Sequence, residues 1–256
     1  MRNLLERIYF MLCKIPTWQE AIERIPEGSI TKYDMSKVTI GDMPYKKDWT
    51  PKYIEGVSPQ FRIGREWAKD MTDPASITQW ATTMKLKLQR EANTKDAWIQ
   101  SNFRIKYGTV RALIKLPNVK GAHSAFWLFG GLPEMDVLEH CGGWENKVSV
   151  THHHGYDYNN VPNPKGKKMT HNNARYNKKF KPRDEFYLYE VELSPYKIVY
   201  KINGVKVRTL KRGLSSGENK VIFDVVKNSY CQTTTESVLD DDAVMIVDFL
   251  EVYKIS

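Results

Sequence analysis

An all-β fold, an antiparallel sandwich or jelly roll behind a short helical arm, is what this 256-residue sequence predicts. Three observations carry the prediction. From about residue 60 onward, apolar and polar residues alternate with period two in many short runs, with no helical pattern between them. Asn203-Gly204 separates two such runs as a two-residue hairpin, because both central residues of that turn need positive φ. At the N-terminus the period changes to that of a helix.

In chain order, Leu4, Leu5, Ile8, Met11 and Leu12 recur at helical spacing, and Pro16 ends that run. Thr17-Trp-Gln-Glu20 has the form of a capping box and opens a second short helix through about Arg24; Pro26-Glu27-Gly28 closes it. Residues 28–60 hold few periodic signals. The chain therefore divides into a helical or irregular arm, 1–58, and a β domain, 59–256. Strands are expected at Met84–Glu91, Thr109–Leu116, Lys147–His154, Phe186–Leu193, Tyr196–Ile202 and, as a long apolar run, Val244–Ile255. No internal repeat or low-complexity tract is visible.

Composition narrows the class. Seven Trp and 14 Tyr suit a large β core or a sugar-stacking surface and argue against disorder. A net charge of +9 suits nucleic acid, an anionic membrane surface or an anionic polysaccharide. Much of the excess lies in Lys165–Arg183, which reads as a solvated loop; with no nucleic-acid-binding signature beside it, no nucleic-acid partner is expected. Cys13, Cys141 and Cys231 are an odd, sparse set, so no disulfide framework is expected, and no pair has metal-ligand spacing. Glu6 and Arg7 interrupt the first apolar run, so neither a signal peptide nor a membrane span is expected. The expectation is synthesis in the cytoplasm, with action outside the cell through release or attachment to a phage particle.

The chemistry concentrates in GLPEMDVLEHCGG, Gly131–Gly143. Glu134 and Asp136, two apart on a strand, share a face. Glu139 would fall on the opposite face unless one extra residue, a β-bulge at Val137-Leu138, returns it. Three carboxylates on one face repel, so their proton affinities split, and one is ionised while another stays protonated. Double-displacement glycoside hydrolysis needs that division of labour between carboxyls ~5–5.5 Å apart. A divalent-cation site or a plain acidic face are the other readings of the same residues.

The surroundings of this motif resemble glycoside hydrolase family 16, the laminarinase, agarase and carrageenase group. The resemblance rests on Tyr107-Gly108, Ile114-Lys115-Leu116-Pro117, Ala125-Phe126-Trp127 and the bulged Glu134-Met-Asp136-Val-Leu-Glu139, in that order. The later hairpin FYLYEVELSPYKIVYKINGVKV and the closing MIVDFLEVYKIS extend it over roughly residues 80–256. It implies a concanavalin A-like β-jelly roll with a polysaccharide cleft. It also implies retaining endo-hydrolysis of a β-linked glucan or galactan, with Glu134 as nucleophile, Asp136 as its assistant and Glu139 as acid/base. Arg111 and Leu113 depart from the family's usual Glu and Arg, which bears on a sugar-binding position. Leu193 and Asn203 replace a Trp and an Asp of its hairpin.

Trp127 and Trp144 are the candidate stacking residues for a sugar ring. His152 or His154 is expected to approach the cleft, to hydrogen-bond sugar or tune Glu139; Tyr156 and Tyr158 are weaker candidates. His152 and His154 also have zinc-ligand spacing, but no further ligands accompany them, so no metal is expected. Asp248 resembles a position near a structural calcium in some family members. No cofactor is expected, since two carboxylates and water suffice. The alternative to an enzyme is a carbohydrate-binding or virion-associated module on the same fold, its arm attached to an assembly partner.

Overall fold

In the computed structural model, the residues described are 2–22, 30–35, 40–42, 61–63, 77–80, 83–88, 97–130, 133–154, 169–170, 173–214, 217–227, 231 and 243–255. Tyr156, Tyr158 and the first part of the basic segment, residues 165–168, lie outside them. Two helices come first: α1 (Arg2–Leu12) and α2 (Trp18–Ile22). The capping box forms as its sequence specifies. Thr17 N donates to Glu20 Oε2 at 2.8 Å, and Glu20 N donates to Thr17 Oγ1 at 3.3 Å.

The remaining elements form two sheets. The first runs β15 (Val205–Leu210), β14 (Ile198–Ile202), β13 (Tyr187–Leu193), β7 (Gly108–Lys115), β17 (Ala243–Lys254), β5 (Thr83–Leu88), β4 (Ile77–Trp80). β1 (Ile30–Asp34) adds to it along the second half of β17. The second runs β11 (Met169–Thr170), β10 (Lys147–His154), β9 (Glu134–Cys141), β8 (Ala122–Phe129), β16 (Lys220–Lys227), β6 (Ala97–Ser101), β3 (Phe61–Ile63), β2 (Ile40–Asp42). There β12 (Asn173–Tyr176) pairs with the first half of β10. All these pairs are antiparallel except β2–β3. The segment read as irregular thus places β1 in one sheet and β2 in the other. Backbone hydrogen bonds to strands already in place hold both, and such pairing needs no side-chain period.

The sheets face each other across an apolar core that includes Val110, Ala112, Ile114, Tyr189 and Val191 from the first sheet. Phe126, Leu128, Leu138, Val148, Val150 and Phe223 face them from the second. Phe126 and Phe223, from neighbouring strands, stack at 4.9 Å. The helices cover part of this frame. Phe10 of α1 is fully buried, edge-on to Phe180 at 5.8 Å, and Glu6 accepts hydrogen bonds from Thr209 N and Oγ1. Trp18, Ala21 and Ile22 of α2 pack on Leu113, Leu188 and Phe249, on the outer face of the first sheet.

Two corrections follow. The basic segment is no plain solvated loop over its described part: Arg175, Asn177 and Phe180 are buried, and Asn177 Nδ2 donates to Phe10 O at 2.6 Å. Basic side chains there alternate with residues that tie α1 to the sandwich. The structure also bonds Cys141 to Cys231, which are 90 residues apart, and leaves Cys13 free. A pairing over that separation has no local signature.

The hairpin expected at Asn203-Gly204 has positive φ at both residues, 45° and 74°. Asn203 does more than turn the chain. Its Oδ1 accepts from Leu188 N at 2.7 Å, and its Nδ2 donates to Pro16 O at 2.8 Å, joining the hairpin to the link before α2. We expect Asn203→Ala to cost about 1–3 kcal/mol, from the left-handed backbone and a buried amide N–H left unpaired. Chemical denaturation measures this. A loss within error would mean that the hairpin holds without the side chain.

Candidate active site

β9 carries the three acids, and its register with both neighbours slips by one residue. Opposite β8, Leu138 faces Phe126 while Asp136 faces Trp127; opposite β10, Glu139 faces Ser149 while Asp136 faces Thr151. Val137 is the extra residue. Val137 and Leu138 both point into the core, 1% and 0% exposed. The slip places Glu139 on the side of Asp136 and Glu134, the outer face of the second sheet.

Neighbouring strands complete that face. Glu134 and Asp136 meet His153 of β10, whose Nε2 lies 3.6 Å from Glu134 Oε1 and 3.2 Å from Asp136 Oδ2. Glu139 has its own histidine, His123 of β8, with Nε2 3.4 Å from Oε1, and it accepts a hydrogen bond from Thr151 Oγ1. Trp127 Nε1 donates to Asp224 Oδ2 of β16 at 2.7 Å. Trp127 is 6% exposed and lies edge-on to Trp98 at 5.2 Å, in an apolar cluster apart from the main core.

The carboxyls titrate apart. Burial, then the charges of Glu139, Glu134 and Asp224, hold Asp136 well above the usual carboxylate range; Arg208 offsets part of this. Burial also pushes Glu139 up, but the hydrogen bond and charge of His123, the Thr151 hydroxyl and the charge of His153 outweigh it, and the net direction is down. As pH rises the cluster therefore keeps a proton on Asp136 longer than on Glu139. Ligand atoms of Glu134, Asp136 and His153 lie within 4.8 Å of one another, close enough to share a proton or to hold a cation.

These shifts make stability depend on pH. Asp136 binds its proton more tightly folded than unfolded, so its contribution falls as pH rises from the unfolded value of about 3.9 through the folded one. We expect Asp136→Asn to be more stable than wild type at neutral pH, by about 0.5–2 kcal/mol, and less active. The gain fades as pH falls toward the unfolded value of about 3.9, and is gone only below it, where the wild-type carboxyl is protonated in both states. Glu139 acts in the opposite sense: its contribution is present above the unfolded value of about 4.3 and is lost as pH falls through the folded one. Melting curves from pH 4 to 8 test the first effect; a variant less stable at pH 7 would contradict it.

The sequence-derived candidates separate on the structure. Glu134, Asp136, Glu139 and Trp127 come together. His152 and His154 do not. His152 lies opposite Met135, fully buried, with Nδ1 3.2 Å from Tyr200 Oη and Nε2 2.8 Å from Gly213 O, and the His154 ring is 5.2 Å from it. The residue between them, His153, points at the acids. Strand phase decides this, and three consecutive histidines cover both phases. The half-buried ring of Trp144 is edge-on to His140 at 6.0 Å, beneath Lys147 Nζ at 3.9 Å. Arg111 and Leu113 belong to the other sheet, where Arg111 forms a buried ion pair with Glu251 and Leu113 packs on α2. Their departures from the family pattern leave the acid face untouched. Asp248 sits at a register slip of β17, in that same sheet.

Sequence reasoning missed His123, His153, Asp224 and Trp98. His123 was within reach, since it precedes Ala125 and Trp127 at period two on the same face. Asp224 carried a signal too, as the lone acid of an apolar run, KVIFDVVK.

Carboxylates that divide their protons on one face of a β-sandwich are the frame of a two-acid glycosyl hydrolase. The chain belongs to glycosyl hydrolases family 16, whose profile matches residues 64–234. No curated protein matches it. Among solved structures, it resembles the laminarinase catalytic domain of Thermotoga maritima at 18% identity and TM-score 0.61, over 72% of this chain and 82% of that one. A β-1,3-1,4-glucanase (lichenase) from a mouse hindgut metagenome is 13% identical with TM-score 0.64, over 89% and 100%. The kappa-carrageenase of Pseudoalteromonas carrageenovora, in complex with an oligotetrasaccharide of kappa-carrageenan, is 17% identical with TM-score 0.58, over 70% and 82%. At these identities the likeness is one of fold.

Proposed function

We propose that the chain is a retaining endo-hydrolase of a β-linked glucan or galactan. The observation that carries this reading is the bulge at Val137, which turns Glu134, Asp136 and Glu139 to one face, where burial and the neighbouring acids raise the proton affinity of the middle carboxyl. Glu134 attacks the anomeric carbon as the bond to the leaving oxygen breaks, and Glu139 gives that oxygen its proton. Glu139 then takes a proton from water, and the water oxygen displaces Glu134 from the sugar. Asp136, beside Glu134 and raised in proton affinity, donates to the nucleophile when it holds its proton and so limits charge repulsion within the cluster. Glu139 starts from a lowered proton affinity, whereas its first step needs a proton. A sugar bound over it removes water and raises that affinity. His123 supplies the opposing charge once the carboxylate is re-formed. Trp127 forms the cleft floor beside Asp136, and the net charge of +9 suits an anionic galactan.

Reducing-end release from laminarin, mixed-linkage glucan, agarose, carrageenan and porphyran tests the reading. Cleavage of one or more, with retained anomeric configuration by NMR, is the expected result. Retention of a polysaccharide in affinity gels without cleavage would favour a non-catalytic binding module, the virion-associated role included.

A further inference from the structure

A second bulge lies across the sandwich from the first. Between β14 and β15, Tyr200 faces Arg208 while Lys201 faces Lys206, so Val207 is an extra residue. The slip turns Arg208 into the core, where it is fully buried. Its guanidinium lies 6.0 Å from the Tyr200 ring, and its Nη1 donates to Val150 O of β10 at 2.8 Å. Val150 is the residue that faces the two-residue bulge of β9, Val137 and Leu138. The clasp is reciprocal. Arg175 of β12, also buried, donates its Nε to the carbonyl of Val207 at 2.6 Å. Each sheet thus sends one arginine to a carbonyl at the other sheet's register slip.

A buried arginine opposes stability unless its bonds compensate, and an apolar side chain would fill the same volume at no such cost. The position is what distinguishes these two. We infer that Arg208 is a positioning residue for the acid cluster: through the Val150 carbonyl it holds the bulge that turns Glu139 to the face of Glu134 and Asp136. Its part in catalysis rests on the hydrolase reading above; its hold on the bulge does not. Arg208 also supplies positive charge behind the carboxyls, and it lowers the proton affinity of Asp136 against burial and the other acids. Among the described residues, the charged and titratable groups that act on Asp136 are Glu134 and Glu139 on its own strand, His153 of β10, Asp224 of β16, Arg208 of β15 and Tyr200 of β14. His152 adds no charge there at neutral pH, because burial, with Arg208 next to it, pulls its pKa down to about 3.

The test compares wild type with Arg208→Met, which removes the charge at similar volume, and Arg208→Lys, which keeps charge but loses the planar donor fork. Carboxyl-carbon NMR titration and the amide shifts of Val137 and Leu138 are read in all three, with kcat and KM on whichever polysaccharide wild type cleaves. In Arg208→Met the titration of the cluster should move to higher pH by about one unit, since a cation that favours the ionised forms is gone. The amides of the bulge should shift in both variants. kcat should fall on the order of 10–100-fold with KM within about twofold, as expected when reacting groups are misplaced but binding is kept. If Arg208→Met does not fold, Arg208→Lys decides by the bulge amides and the kcat–KM split. Folded variants with unchanged carboxyl titration, bulge amides and kcat overturn the inference, even if they melt lower. If wild type cleaves nothing, the hydrolase reading fails on its own, and the amides and carboxyl titration still decide the role of Arg208.

Discussion

Glu134→Gln is expected to abolish turnover: on the polysaccharide that wild type cleaves, kcat should fall by about 10⁴-fold or more, a loss of at least about 5 kcal/mol of transition-state stabilisation. In the proposed mechanism the side chain keeps its shape but loses the charge that attacks the anomeric carbon, so no glycosyl-enzyme should form. Because the fold and the face around β9 remain, the variant should still bind the polysaccharide. Glu139→Ala should behave differently. General acid–base groups contribute about 10²–10⁴-fold, and here the loss falls on both steps. A substrate with a good leaving group needs no acid for the first step. Azide can then attack the glycosyl-enzyme without a base, so adding it should restore turnover and yield a glycosyl azide of retained configuration. Glu134→Gln has no glycosyl-enzyme to rescue. A glycosyl azide of retained configuration from Glu134→Gln, with none from Glu139→Ala, would reverse the two roles; an inverted azide from Glu134→Gln is direct displacement and leaves them as assigned. Full activity in either variant would remove the acids from the mechanism.

The second large effect is on stability. Cys141 ends β9, and Cys231 lies beyond β16, on the far side of β8. The bond closes a loop over a separation of 90 residues, and a closed loop of that size restrains the unfolded chain strongly. We expect Cys231→Ser to cost about 2–4 kcal/mol and to lower the melting temperature by roughly 10 °C, given the size of the chain. Under reducing conditions the wild type should melt as the variant does. Identical melting of the two under oxidising conditions would mean that the bond contributes nothing. Cys141 sits one strand end from Glu139, with His123 opposite it in register, so the same loss loosens the end of the acid strand.

The features legible in the sequence are those whose cause is local. Thr17 and Glu20 cap a helix because they are three residues apart. Asn203-Gly204 turns because both residues tolerate positive φ. The bulge at Val137 followed from spacing alone: acids at positions 134, 136 and 139 share a face only if one residue is skipped. The histidine that meets those acids was not legible, because all three of 152–154 fit a strand and only the register of β10 against β9 selects His153. Trp144, in a glycine-rich turn, read as a cleft residue; its contacts with His140 and Lys147 were not legible, because they too depend on how the strands pack.

The sequence by itself determined that the chain forms a β-sandwich with a helical arm, that three carboxylates gather on one bulged strand, and that the pattern is that of glycosyl hydrolases family 16. Each of these is written in the spacing of neighbours along one strand or turn. Only the tertiary structure decided which groups surround the acids: His123 from β8, His153 from β10, Asp224 from β16 and Arg208 from the opposite sheet. It alone joined Cys141 to Cys231, and it alone showed that Arg111 and Leu113 lie in the sheet without the acids. The physical reason is that these contacts depend on sheet order and register between strands distant in sequence, and those are settled by packing the core as a whole.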